Sequence, residues 1–358
     1  MTFQTDHPWL APLFGDPDTA ELWSADAQLR HFRAFEMALA RALGAHGLVS
    51  AEIGQQAAAS IADAPVDLDL LARATATDGI PIPDFVAQLR AAAPESAAAI
   101  HTGATSQDVM DTALSLTLVA TTDLLSHRLS ALSGGLEALS LAQGTRQLMA
   151  RTRMQAALPM TVADRIKSWL SPVDGAVVAL ADIRPKVARL QLGGAIGTRH
   201  AFNGKGDNVA RHMAAALDLT ESGVWHSDRS QIAHYASLLS QITGTLGKMG
   251  QDIALMAQQG IDEITLSGGG GSSAMPHKSN PVLAELLVTL ARFNATQISA
   301  MHHSLIHEQE RSGAAWMLEW MVLPQMATAT AKAIAISIEL CGKIKCIGSS
   351  PGETGTVH

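Results

Sequence analysis

The chain has 358 residues with 25 Lys and Arg against 33 Asp and Glu, a net charge of −8, and is 47% apolar but only 4% aromatic. The acidic balance, with no Lys/Arg run and no basic patch interleaved with aromatics, argues against a nucleic-acid partner. No apolar run approaches the roughly 20 residues needed to cross a bilayer, and residues 1–10 carry acidic and polar groups, so no membrane partner and a cytoplasmic location are expected.

The apolar half is dominated by Ala and Leu, which favours helices, and the length suffices for one or two domains with a substantial core. Ser24 or Asp26 can open a first helix, whose face of Leu29, Phe32, Phe35, Met37 and Leu39 persists until Gly44 and Gly47. A second begins near Ser50. Pro81 and Pro83 then enforce an extended connector, and Asp84 is set to cap a short helix ending before Pro94.

After His101-Thr102-Gly103 the texture changes. From Thr105 the chain runs without proline to beyond Leu139, and Thr105 with Asp108 forms a capping-box-like start. A helix of about 40 residues would span roughly 60 Å. Similar stretches run from about residue 228 to 264 and, interrupted only at Pro324, from about 281 to 344. Helices this long need partners along their whole length. The expected fold class is therefore all-α, a long-helix bundle with part of its apolar surface buried by other subunits. No alternating strand pattern is visible. The expected organisation is an N-terminal helical domain (1–100), a central bundle (101–345) and a polar, glycine-rich, mobile tail (346–358). The two cysteines, Cys341 and Cys346, lack metal-type spacing and are read as reduced thiols, with no metal site expected.

Residues 267–285 read S-G-G-G-G-S-S-A-M-P-H-K-S-N-P-V-L-A-E. Four glycines and two serines cannot hold a helix or strand, because glycine loses the most backbone entropy and serine competes for backbone hydrogen bonds. Pro276, Lys278 and Asn280 then supply a stiff turn, a cation and an amide before Pro281, a natural helix start. Such a loop fits an active-site lid; composition alone favours a solvated linker, and the ordered sequel from Met275 to Pro281 reverses that preference.

The eleven residues Gly271-Ser272-Ser273-Ala274-Met275-Pro276-His277-Lys278-Ser279-Asn280-Pro281 resemble the signature loop of the fumarase/aspartase superfamily. His101-Thr102-Gly103-Ala104-Thr105-Ser106-Gln107-Asp108, with Asp111-Thr112, resembles the first conserved region of that superfamily, which holds substrate carboxylate. The same turn is a helix entry whose free N–H groups suit an anion, or simply a capped helix start. Arg151-Thr152-Arg153-Met154-Gln155 with Pro159 resembles the second region but departs at one place. Lyases of the superfamily carry a histidine where this chain has Arg153, usually paired with a glutamate that corresponds to Glu285. A histidine can exchange a proton near neutral pH, whereas arginine stays charged and can only bind or polarise anions. An Arg153–Glu285 ion pair, or a shared contact with substrate, is expected.

Gln191-Leu192-Gly193-Gly194-Ala195-Ile196-Gly197-Thr198 lacks the strand and the G-x-G-x-x-G order of a dinucleotide site and is read as a place of close backbone approach. With Trp225-His226-Ser227-Asp228-Arg229 and His307-Glu308-Gln309-Glu310-Arg311, followed by Trp316 and Trp320, it resembles the cycloisomerase branch of the superfamily. Trp320 falls where adenylosuccinate lyases carry an arginine for the nucleotide.

The resemblance implies a fumarase/aspartase-like bundle whose usual C-terminal third domain is absent or reduced, assembled as a homotetramer with shared active sites. It implies an intramolecular addition of a carboxylate within a small anionic tricarboxylate substrate, with no metal or organic cofactor. Ser272, Arg153 and Glu285 would be catalytic. His101, Thr105, Ser106, Gln155, Arg229, Lys278, Asn280 and Arg311 would bind substrate. Competing expectations are an adenylosuccinate- or argininosuccinate-like lyase and a non-catalytic, crystallin-like protein.

Overall fold

The structure is a computed structural model that describes residues 7–271, 275 and 279–350. Its N-terminal part is a set of short helices: α1 (Ala11–Phe14), α2 (Pro17–Leu22), α3 (Ala25–Ala45), α4 (Ala51–Asp63), α5 (Leu68–Asp78) and α6 (Ile82–Ala92). Ser24, rather than Asp26, caps α3 by accepting the Ala27 N–H at 3.1 Å, and Ser50 caps α4 through Ile53 at 3.2 Å. The two prolines do not extend the chain before α6. Pro81 is its N-cap residue and Pro83 lies in its first turn, where no N–H is needed.

Among the described residues six further α-helices follow: α7 (Ser106–Gln143), α8 (Val162–Val187), α9 (Gly206–Ala216), α10 (Ser230–Met256), α11 (Val282–His303) and α12 (Ala314–Lys343). The long stretch expected from 281 to 344 is thus two helices. The polar run His307-Glu308-Gln309-Glu310-Arg311-Ser312-Gly313 between them offers no apolar face to bury, so the chain leaves the bundle there. Pro324 sits inside α12 without ending it. By length and mean hydropathy (1.3) α12 could cross a membrane, a property the sequence reading did not single out, yet 61% of its apolar window is buried inside the protein. It is a core helix of the bundle.

Two antiparallel strand pairs were not anticipated. β1 (Gln147–Thr152) and β2 (Gln155–Thr161) form a hairpin, and β3 (Ile264–Leu266) pairs with β4 (Ile344–Ile347). The hairpin is largely exposed on both faces, so it lacks the apolar alternation that marks a half-buried strand. The second pair is too short to give a pattern. β4 also corrects the reading of the tail as mobile from 346. Ile347 is fully buried, Ser349 bridges to Gln147, and Arg146 donates to the Ile347 and Gly348 carbonyls at 2.8 and 2.7 Å.

Two apolar cores result. One fills the bundle, from Leu118 and Leu125 on α7 through Trp169, Leu239, Leu287 and Met326 to Ile347. The other centres on Phe32, Phe35, Leu39, Phe85 and Leu89, but is closed by Val109 and Met110 of α7, by Leu190, Leu192, Phe202 and Val209, and by Trp316. The first hundred residues therefore share their core with segments from the middle of the chain. That sharing draws the His101 turn, the start of α7, the 191–198 run and the 307–316 segment together.

Candidate active site

The site is built around the N-terminus of α7. The preceding turn bends through His101 (φ 58°) and Gly103 (φ 83°). A Cβ at Gly103 would lie 2.7 Å from the Phe202 ring, so only glycine fits. His101 is gripped by Glu36 of α3: its N–H donates to Oε2 at 2.9 Å, and its Nδ1 lies 2.6 Å from Oε1. Thr105 is the N-cap in extended conformation and Ser106 the first helical residue, both half-buried. A helix start of this kind leaves its first N–H groups without intrahelical partners, the setting in which an anion is commonly held.

Asp108 holds this corner. Its fully buried carboxylate accepts the Thr105 N–H at 3.0 Å, the Gly193 N–H at 2.8 Å and the Gly194 N–H at 2.9 Å, with His226 Nε2 at 2.7 Å. Four donors replace the water that an ionised carboxylate loses on burial. The 191–198 run does make the expected close approach: a Cβ at Gly193 would meet the His226 ring at 2.6 Å, and one at Gly194 the Gly103 carbonyl at 2.7 Å. Arg311 completes the corner by donating to Thr105 Oγ at 2.9 Å and to the Ala195 carbonyl at 3.0 Å. Thr105 and Arg311 are thus joined directly at this corner, with Ser106 next in the chain and His101 in the preceding turn.

Arg229 corrects the sequence reading. Expected to bind substrate, it is 1% exposed, and its guanidinium is divided between Asp111 (2.8 and 3.0 Å) and Glu319 (2.9 and 2.6 Å) over the Trp225 ring at 4.8 Å. Trp316 Nε1 adds a bond to Asp111 at 3.1 Å. Four of its five N–H donors are thus taken up inside the protein, and its burial keeps the side chain away from a ligand. Burial opposes the charge on Arg229, but the two carboxylates outweigh it and its pKa rises. Burial pushes the Glu319 carboxyl above its ordinary value against the pull of Arg229. Burial, with the Arg229 charge, depresses the nearby His307, whose Nε2 is 3.9 Å from Glu319.

Arg153 and Met154 are the two loop residues of the β1–β2 hairpin, at φ 49° and 68°. Positive φ at both positions is the type I′ geometry that normally selects Asn and Gly, so two long side chains are held there against local preference. Both Arg153 and Gln155 project into solvent with Met154, which is 71% exposed. Glu285 is exposed in the first turn of α11. Among the described residues no ion pair joins Arg153 to Glu285, so the expected pair is not formed within one chain.

Of the signature loop, Asn280 exchanges two backbone hydrogen bonds with Gly270, both 3.0 Å, which fasten the loop's two ends together. A Cβ at Gly270 would lie 2.4 Å from Val282. This glycine is needed for close approach as well as for freedom. Ser272 and Lys278 lie outside the described residues.

Sequence reasoning missed Glu36 and Glu319. Each is a carboxylate on the buried side of its helix, Glu36 beside Phe32, Phe35 and Leu39, and an acid on an apolar stripe was the available signal.

A long-helix bundle with an anion-ready helix start and a glycine-rich loop defines the class. The family described as "Lyase" matches residues 19–295, and the chain belongs to this family, within the fumarase/aspartase superfamily. It is 36% identical to the 3-carboxy-cis,cis-muconate cycloisomerase of Acinetobacter baylyi, over 92% of this chain and 75% of that protein. The crystal structure of the 3-carboxy-cis,cis-muconate lactonizing enzyme from Pseudomonas putida superposes with a TM-score of 0.88 at 32% identity, covering 95% of this chain and 77% of that one. A fumarate lyase from Mesorhizobium superposes at 0.87 with 30% identity, over 93% and 76% of the two chains.

Proposed function

We propose that this protein is a cycloisomerase that converts 3-carboxy-cis,cis-muconate to 4-carboxymuconolactone, in the protocatechuate branch of aromatic catabolism. The observation that carries the reading is Arg153 at the hairpin tip, where a proton-exchanging histidine would be needed to expel an amine or hydroxide. Here the nucleophile is the substrate's own carboxylate, already ionised, and requires no base. Similarity to the cycloisomerase and lactonizing enzyme over more than nine-tenths of the chain supports the same choice.

The carboxylate adds at the carbon β to a second carboxylate, and charge builds up there as an aci-carboxylate. Thr105, Ser106, Lys278 and Asn280 stabilise it as fixed donors aimed at growing charge. Ser272 transfers the proton to carbon. Arg153, with Gln155, orients an anionic group of the triply charged substrate, and His101 and Arg311 bind at the α7 corner. Glu285 meets Arg153 from another subunit. We assign a homotetramer with shared active sites, working in the cytoplasm. Exposed apolar side chains, among them Met154, Leu158, Ile306 and Met321, support assembly.

The test is an ultraviolet assay of purified protein with 3-carboxy-cis,cis-muconate. Loss of the conjugated diene is expected; no loss at high enzyme concentration would overturn the reading. Fumarate release from a substituted succinate would assign the chain to the eliminating lyases instead.

A further inference from the structure

Glu36 is fully buried, yet both of its carboxylate oxygens are given to a single residue 65 positions away. One oxygen takes the backbone N–H of His101 and the other faces Nδ1 of its ring. His101 stands at φ 58°, a conformation that a residue with a side chain holds only when its surroundings enforce it. The two-point grip enforces it and fixes the ring at once. With Nδ1 turned inward, Nε2 is the ring nitrogen left for the site, and the side chain keeps 15% of its surface open. Among the described residues the ion-pair partner of Glu36 is His101 alone. The cation nearest in sequence to this turn, Arg90, is occupied with the Ile100 carbonyl at 2.9 Å.

This bears on the proposed function, on which the inference rests. In lactone formation a carboxylate oxygen forms the new C–O bond, and the π pair of the attacked double bond moves to the carbon α to the second carboxylate. That carbon takes up one proton. The organic anion passes from three negative charges to two, so every turnover withdraws one proton from protein or water. Arginine at 153 cannot supply it.

We infer that the Glu36–His101 pair is the reservoir for this proton, with Glu36 the positioning residue that holds Nδ1–H and aims Nε2 at the site. The protonated ring gives up its proton from Nε2 to make good the one delivered to the α carbon, the Glu36 hydrogen bond keeps the neutral ring in the same orientation, and water restores the ring proton at the open edge. A carboxylate behind a histidine is a recurring way to fix the tautomer and steady the imidazolium. Its place here, on α3 and not on the hairpin, gives the site a proton carrier that does not depend on position 153.

The experiment follows diene loss with the assembled protein and the variants Glu36→Gln, His101→Gln and the double variant. His101→Gln keeps an N–H donor for a bound anion but holds no transferable proton. Each single variant is expected to lose about 10²-fold in kcat with KM within about threefold, and the double variant to be no worse than either, because the two act as one unit. Thermal melts separate these effects from misfolding. Should Glu36→Gln fail to fold, the kcat–KM split of His101→Gln decides alone, since that side chain is partly exposed. A His101→Gln protein with wild-type kcat and a raised KM would leave His101 a mere anion binder and overturn the inference. So would Glu36→Gln with wild-type kcat. In both cases the wild type still converts the diene; a wild type that leaves the diene untouched overturns the function as well.

Discussion

Arg229 and Asp111 meet as two parallel N–H···O bonds of 2.8 and 3.0 Å in a region where each is only 1% exposed, and Glu319 takes the other edge of the same guanidinium. The three groups come from α7, from the residue preceding α10 and from α12, so this ion triad fastens three helices next to the α7 corner. Removing the cation would leave two uncompensated buried carboxylates. Arg229→Ala should therefore lower stability by about 3–5 kcal/mol, read as a fall in the denaturation midpoint. A variant with an unchanged midpoint would return Arg229 to the list of substrate ligands.

Position 153 tests the assignment to the cycloisomerase branch. Arg153→Lys should keep part of the activity with a raised KM, because a point charge replaces a planar fork. Arg153→His should neither restore full lactone formation nor create strong fumarate-forming activity. Wild-type turnover in Arg153→His would make Arg153 structural or peripheral.

Ser272→Ala should reduce kcat by a factor on the order of 10² with the fold intact, as expected for loss of a proton-transfer group. Near-normal turnover, with an unchanged circular dichroism spectrum, would move the role to Ser273 or to water.

His307 gives a pH signature in stability. Burial, reinforced by Arg229, lowers its pKa from the ordinary 6.5. As pH falls below 6.5 the unfolded chain takes a proton that the folded chain refuses, so stability present above that value is lost on acidification. His307→Gln should flatten this acid limb when urea midpoints are compared between about pH 7.5 and pH 5.5; an identical slope in the two proteins would refute the assignment. His31, also depressed by burial, is common to both and cancels.

What the sequence determined by itself were the features encoded locally. Helical periodicity around Phe32, Phe35 and Leu39 and the proline-free run after Thr105 specified long helices, because an apolar stripe and a cap act over a few neighbouring residues. The motif order around His101, Thr105, Ser106 and Arg311 pointed to a site by resemblance; in the structure Asp108 braces Thr105 and Arg311 bonds to the Thr105 hydroxyl. Only the tertiary structure decided which charged residues are ligands and which are braces. Arg229 and Arg311 look alike in sequence, both beside acids and tryptophans, yet one is buried between carboxylates while the other lies exposed over Thr105. That difference arises from helices approaching across 90 to 118 positions of chain, where burial and partner geometry set the charge balance. The same holds for Glu36, whose role exists only because the shared core folds the His101 turn back onto α3, 65 residues away.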